Sequence, residues 1–200
     1  MKLLVLGATG FIGGAVYRLA QQTGINAYGT SRERASCLLP FNNYDMSELK
    51  DLSESTAPNV IVNAIGSGVT PCTSTREHMQ QANVALTERL LALAHEPSGS
   101  NYRLVHLASS RGRTGVHRLG TYVETKDVAT SLVLAAIADG VSGCSLEVFN
   151  TYGPAQPKGR LVDLVTQSAA EGLKLTLENP AQVRDFVHVD DVARAVIKAA

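Results

Sequence analysis

Four apolar residues, Leu3-Leu4-Val5-Leu6, run directly into Gly7-Ala8-Thr9-Gly10-Phe11-Ile12-Gly13. A helical stripe of Ile12, Ala15, Val16 and Leu19 follows over 11–22. A continuous apolar run suits a strand buried on both faces, which occurs where helices cover both sides of a parallel sheet. Glycines between such a strand and the next helix permit a tight turn. They also let backbone N–H groups approach a pyrophosphate and bring the helix close to the sheet. The same residues would serve as a plain glycine-rich turn; their place behind an N-terminal buried strand favours a bound dinucleotide.

The alternation continues. Segments 25–29, 60–63, 104–108 and 146–149 read as strands, and 78–95 and 121–138 read as helices. Strands alternating with helices at this spacing form βαβ units, hence an α/β, doubly wound parallel sheet of Rossmann type. Ligands of such sheets bind beyond the carboxyl ends of the strands, where the motifs fall. Further on, 161–172 reads as a helix, 173–177 and 186–189 as short strands, and 191–200 as a helix whose N-cap is Asp190. Residues 1–150 are therefore expected to form a dinucleotide-binding domain, and 151–200 a small, shortened substrate lobe.

Two hundred residues with 44% hydrophobic and 18% charged content exclude a disordered, collagenous or membrane-spanning chain. Eighteen basic residues balance eighteen acidic ones, so no general basic field exists to hold nucleic acid or an acidic membrane. The N-terminal apolar run stops at Gly7, shorter than a signal-peptide core. Cys37, Cys72 and Cys144 are odd in number and widely spaced, which suits a reduced, cytoplasmic interior and no disulfide framework or metal site. His106 reads as a satisfied core histidine, and His78, His95 and His117 have no ligand spacing.

Two further groups of residues carry chemistry. At the end of the second strand stands Gly29-Thr30-Ser31-Arg32, where an NAD site would place an acid for the ribose hydroxyls. A hydroxyl at Ser31 and a guanidinium at Arg32 suit a 2′-phosphate instead, pointing to NADP, with NAD possible. A solvated surface arginine is the plainer reading of Arg32. The other group is Ser110 followed by Tyr122 and Lys126, the last two on one helical face. An ammonium beside a tyrosine stabilises the phenolate and makes the side chain usable for proton transfer near neutral pH. A snorkelling lysine would explain an isolated pair equally well; the glycine loop upstream favours catalysis.

These motifs resemble the extended short-chain dehydrogenase/reductase superfamily, specifically the NAD(P)-dependent epimerase/dehydratase family acting on nucleotide sugars. The resemblance extends over Asp45-Met46 at the adenine side, Asn63-Ala64-Ile65-Gly66, Asn83, Asn150-Thr151-Tyr152-Gly153-Pro154, and Arg184-Asp185 through Asp191-Val192. It implies cofactor contacts from Gly7, Thr9, Gly10, Phe11, Ile12, Gly13, Asp45, Met46, Ala64, Ile65 and Gly66. It also implies Asn83 supporting the surroundings of the lysine, Asn150 at the sugar, and Arg184 at the nucleotide diphosphate. By their residue types alone, Arg184 and Asp185 would be a surface ion pair.

The resemblance further implies a homodimer formed through the helices 78–95 and 121–138, as a four-helix bundle. Arg111-Gly112 stands where dehydratases carry an Asp-Glu pair, so that branch is disfavoured, and Glu147 replaces a family arginine. Relatives run beyond the Arg184 motif, which makes an open substrate cleft and weak sugar-nucleotide affinity the expectation here. Three functions follow: an NADP-dependent reductase of a nucleotide sugar or related carbonyl compound, an epimerase that retains its cofactor, or a dinucleotide-binding regulatory protein without turnover.

Overall fold

The computed structural model describes residues 1–32, 37–42, 44–68, 74–95, 102–110, 120–177 and 181–200. Six parallel strands form the main sheet: β1 (Lys2–Leu6), β2 (Asn26–Ser31), β3 (Leu39–Pro40), β4 (Val60–Asn63), β5 (Arg103–Ser109) and β6 (Gly143–Val148). Their spatial order is β3-β2-β1-β4-β5-β6. The order reverses between β1 and β4, where Leu3 to Leu6 pair with Val60 to Asn63. A crevice opens at the carboxyl ends of strands at such a reversal.

Alternating side chains divide the core. Leu4, Leu6, Ile61 and Leu104 face one helical layer; Leu3, Val5, Val62 and Val105 face the other. The first layer holds α2 (Met46–Thr56), α3 (Arg76–Met79), α4 (Leu86–His95) and α5 (Thr121–Ala138); a π-helical turn, Gln80–Ala85, joins α3 to α4. The second holds α1 (Phe11–Gln22) and α7 (Val189–Ala199), whose Val189, Val192 and Val196 are buried with Val16 against the sheet. Residues 151–200 therefore divide. Helix α7 completes the core around β1, while β7 (Asn150–Tyr152), β8 (Phe186–His188) and α6 (Leu161–Glu171) lie apart, the two strands pairing in parallel. No residue of α6 is buried, and Leu161, Leu164 and Val165 are exposed.

The sheet expected from the sequence is present, with three local differences. Segment 173–177 is not a strand: Leu173 and Leu177 are 60% and 48% exposed, with no ladder hydrogen bonds among the described residues to hold extended chain. The last helix starts at Val189, not Asp191, because Val189 is buried in the core. Its N-cap is consequently His188, whose Nδ1 accepts from the Asp190 N–H at 3.2 Å; Asp190 lies inside the first turn, where it favours the helix dipole. Finally, β3 and α2 were not anticipated, although Asp45 and Glu48 have capping-box spacing.

Candidate active site

The loop after β1 is shaped by its glycines. Gly7 has φ +80°, a left-handed conformation costly for other residues, and its N–H donates to Thr30 Oγ1 at 3.1 Å. A Cβ on Gly13 would lie 2.3 Å from the Gly7 carbonyl oxygen, so only glycine lets α1 approach the turn this closely. The N-cap of α1 is Gly10, and neither a side-chain cap nor an acidic residue occupies its first turn. Its first N–H groups therefore suit an anion, as a dinucleotide pyrophosphate requires. Thr9 and Gly10 are exposed there, with Phe11 and Ile12 partly so. The residues present fit a dinucleotide.

Ser31 ends β2 and Arg32 follows it; the serine is buried and the arginine exposed. Asp45 is the N-cap of α2, its carboxylate accepting from the Glu48 N–H at 2.8 Å, and Met46 begins that helix. That bond, with the Ser47 hydroxyl, holds the Asp45 carboxyl below its ordinary value. Ala64, Ile65 and Gly66 continue from β4 beside the glycine turn: a Cβ on Gly7 would lie 3.0 Å from Ile65 Cγ1.

Ser110 lies just past β5, and Tyr122 and Lys126 lie in the first two turns of α5. The segment 111–119, including Arg111-Gly112, lies outside the described residues. Tyr122 is half-buried, whereas Lys126 is buried and its Nζ donates to the Leu107 carbonyl at 2.6 Å. Burial pushes the ammonium down to about 8, within reach of proton exchange near neutral pH.

His106, on β5 beneath α5, is fully buried but not fully satisfied. Its Nε2 is 3.5 Å from Thr130 Oγ1, and its Nδ1 has no hydrogen-bond partner among the described residues. Burial, with the Lys126 charge nearby, pushes this histidine down to about 3, so it is neutral throughout the physiological range.

Asn83, expected to support the surroundings of the lysine, bonds to Thr125, the residue before Lys126. It sits in the π-helical turn, a feature frequent at functional sites. Its Oδ1 accepts from the Ser67 N–H at 2.9 Å, and its Nδ2 donates to the Ser67 carbonyl at 3.0 Å and to Thr125 Oγ1 at 2.9 Å. Ser67 and Thr125 were not anticipated. Thr125, three positions after Tyr122, shares the inward helical face, and a hydroxyl on that face was the available signal.

The β7–β8 pair brings two distant residues together. Asn150 Nδ2 donates to the Asp185 carbonyl at 3.0 Å, beside Arg184. Arg184 is exposed and its guanidinium forks onto Gln182 Oε1, at 3.1 and 2.8 Å.

A 3-2-1-4-5-6 parallel sheet with an uncapped glycine turn at its switch point defines a Rossmann-type dinucleotide-binding protein. Residues 3–200 match the model of the NAD dependent epimerase/dehydratase family, and the chain belongs to that family. It is 31% identical over 226 residues to dTDP-6-deoxy-L-talose 4-dehydrogenase (NAD(P)(+)) of Kitasatospora kifunensis, covering 100% of this chain and 70% of that protein. Identity to the dTDP-glucose 4,6-dehydratase of Salmonella typhimurium is 26%, over 98% of this chain and 67% of that one. Among solved structures, MoeE5 in complex with UDP-glucose and NAD superposes with a TM-score of 0.81 at 26% identity, covering 100% of this chain and 72% of MoeE5. The Kitasatospora relative is named for NAD(P)(+), MoeE5 was solved with UDP-glucose and NAD, and this chain spans 67–72% of the length of these three relatives.

Proposed function

We propose that the chain is an NADP(H)-preferring oxidoreductase acting at a carbonyl or alcohol carbon of a nucleotide sugar. The observation that carries this reading is the buried ammonium of Lys126, one helical turn from Tyr122 at the open end of the sheet. Tyr122 takes the hydroxyl proton of an alcohol substrate, or returns it to a ketone oxygen. Lys126 stabilises the phenolate and holds the ribose, Ser110 orients the reacting oxygen, and Asn83 keeps the neighbouring loop in place. The nicotinamide, when bound, supplies the matching hydride acceptor or donor. Residues 1–150 serve the dinucleotide, and Asn150 and Arg184 serve the sugar diphosphate. Cys37 and Cys144 form no disulfide among the described residues, which suits a reducing cytoplasm.

The direct assay supplies dTDP-6-deoxy-L-talose and a panel of nucleotide-sugar ketones with either dinucleotide and follows nicotinamide absorbance. Net consumption supports the oxidoreductase. Cofactor retained through purification without net consumption would instead support the epimerase, and NADPH binding without turnover of any panel member a regulatory role. The choice of NADP rests on Arg32, exposed at the end of β2. Arg32→Ala should weaken NADP+ binding by about tenfold or more, the loss of one charge-assisted bidentate contact, and leave NAD+ binding unchanged. Equal weakening of both would refute the 2′-phosphate role.

We also infer a homodimer. Val128 and Leu134 are 48% and 53% exposed along the outer face of α5, and Ala135 and Ala138 continue that face. Exposed apolar side chains gathered on one helical face favour an interface. Sedimentation should give the mass of two chains, and Leu134→Glu the mass of one; a wild-type monomer at micromolar concentration would remove the inference.

A further inference from the structure

Thr125 stands between the two groups given chemical roles on α5, yet its side chain faces neither solvent nor substrate. It is buried, and its Oγ1 accepts from Asn83 Nδ2 at 2.9 Å while lying 2.9 and 3.0 Å from the Thr121 and Tyr122 carbonyl oxygens of its own helix. A hydroxyl has one hydrogen and two lone pairs, so it can donate back into the helix and accept from Asn83 at the same time. The Asn83 amide spends its remaining capacity on the backbone of a single residue, Ser67, as donor and acceptor both.

Ser67 follows Gly66 in the loop that leaves β4 beside the glycine turn. The next residue, Gly68, has φ +96°, and a Cβ there would lie 2.3 Å from Met79 Sδ and 3.3 Å from Tyr122 Cβ. This loop is therefore packed against the first turn of α5 and pinned by Asn83. Through the Asn83 amide, Thr125 supplies a polar bond that fastens the pinned loop to α5. Asn83, Thr125 and Ser67 are all buried, where an amide hydrogen left unpaired is costly.

We propose that Thr125 is a positioning residue that fixes Tyr122 and Lys126 relative to the loop 64–68, and so the proton-transfer groups relative to the dinucleotide. The assignment rests on the dinucleotide-dependent reading of the site. It adds a determinant of geometry, where small misplacements of reacting groups are expensive in rate.

Thr125→Val keeps the shape and removes the hydroxyl; Thr125→Ser keeps the hydroxyl. Amide hydrogen exchange at Ser67, NADP+ affinity by calorimetry, and turnover of dTDP-6-deoxy-L-talose are measured for both and for wild type. In the valine variant, Ser67 exchange should quicken by about tenfold or more and turnover should fall by a similar factor. KM for the sugar should be little changed, amides of β1 and β5 should keep their protection, and the serine variant should restore wild-type behaviour. Valine and serine variants that behave alike, or faster exchange spread evenly over the chain, would overturn the assignment. So would quickened exchange at Ser67 with turnover unchanged. Wild type that binds neither NADP+ nor NAD+ would instead refute the underlying reading of the site, a result visible before any variant is compared.

Discussion

Tyr122→Phe should reduce turnover by about 10²–10⁴-fold, the range a positioned proton donor or acceptor contributes, while dinucleotide affinity stays unchanged. The variant removes one oxygen from a half-buried ring at the open end of the sheet and leaves the glycine turn, Thr30 and the α1 N-terminus untouched. Steady-state rates with nucleotide-sugar substrates and calorimetric titration with NADP+ check the two halves separately. Full activity in the phenylalanine variant would take the proton away from Tyr122. Lost dinucleotide affinity would show that the hydroxyl binds rather than reacts.

Lys126→Met should lose activity and gain stability. The ammonium is buried, and burial brings it down from 10.5 to about 8. Below pH 8 both folded and unfolded chains carry the proton, and the folded chain bears the full cost of burying it. Between about 8 and 10.5 the unfolded chain still binds a proton that the folded one has released, so stability rises with pH across that window. Methionine removes the charge. At neutral pH the variant should gain roughly 2 kcal/mol, the displacement in pKa less about 1 kcal/mol for the lost bond to the Leu107 carbonyl. The rise with pH should flatten. Urea unfolding at pH 7 and pH 10 measures both effects. A methionine variant that is less stable, with the same alkaline rise as wild type, would mean that the ammonium is hydrated in the native state. Stability gained with activity lost is the expected signature of a group kept for function.

Much of this site was legible before any coordinates. The spacing of Gly7, Gly10 and Gly13 behind four apolar residues favours a turn that brings a helix close to its strand, and the turn has that tight geometry. Helix α1 follows from its 3.6-residue apolar stripe, and α5 from a long run rich in Ala, Val and Leu. Segment 173–177 misled because its alternating leucines suit a strand face, while strand formation needs a neighbour, and none is present among the described residues. His188 replaced Asp190 as the cap because burial of Val189 moved the start of α7, a choice made by the core and not by capping preference.

The sequence by itself determined the parallel α/β architecture, the dinucleotide turn and the Tyr122–Lys126 pair, because each depends on residues within one or two turns of one another. Tertiary structure alone decided that Asn83 grips Ser67 and Thr125, residues 16 and 42 positions away. It alone packed α7 against α1 and joined Asn150 to the carbonyl of Asp185. Local periodicity reports which face of an element is buried. Which partner buries it depends on how the crossovers stack the layers, and that is fixed only when the whole sheet closes its core.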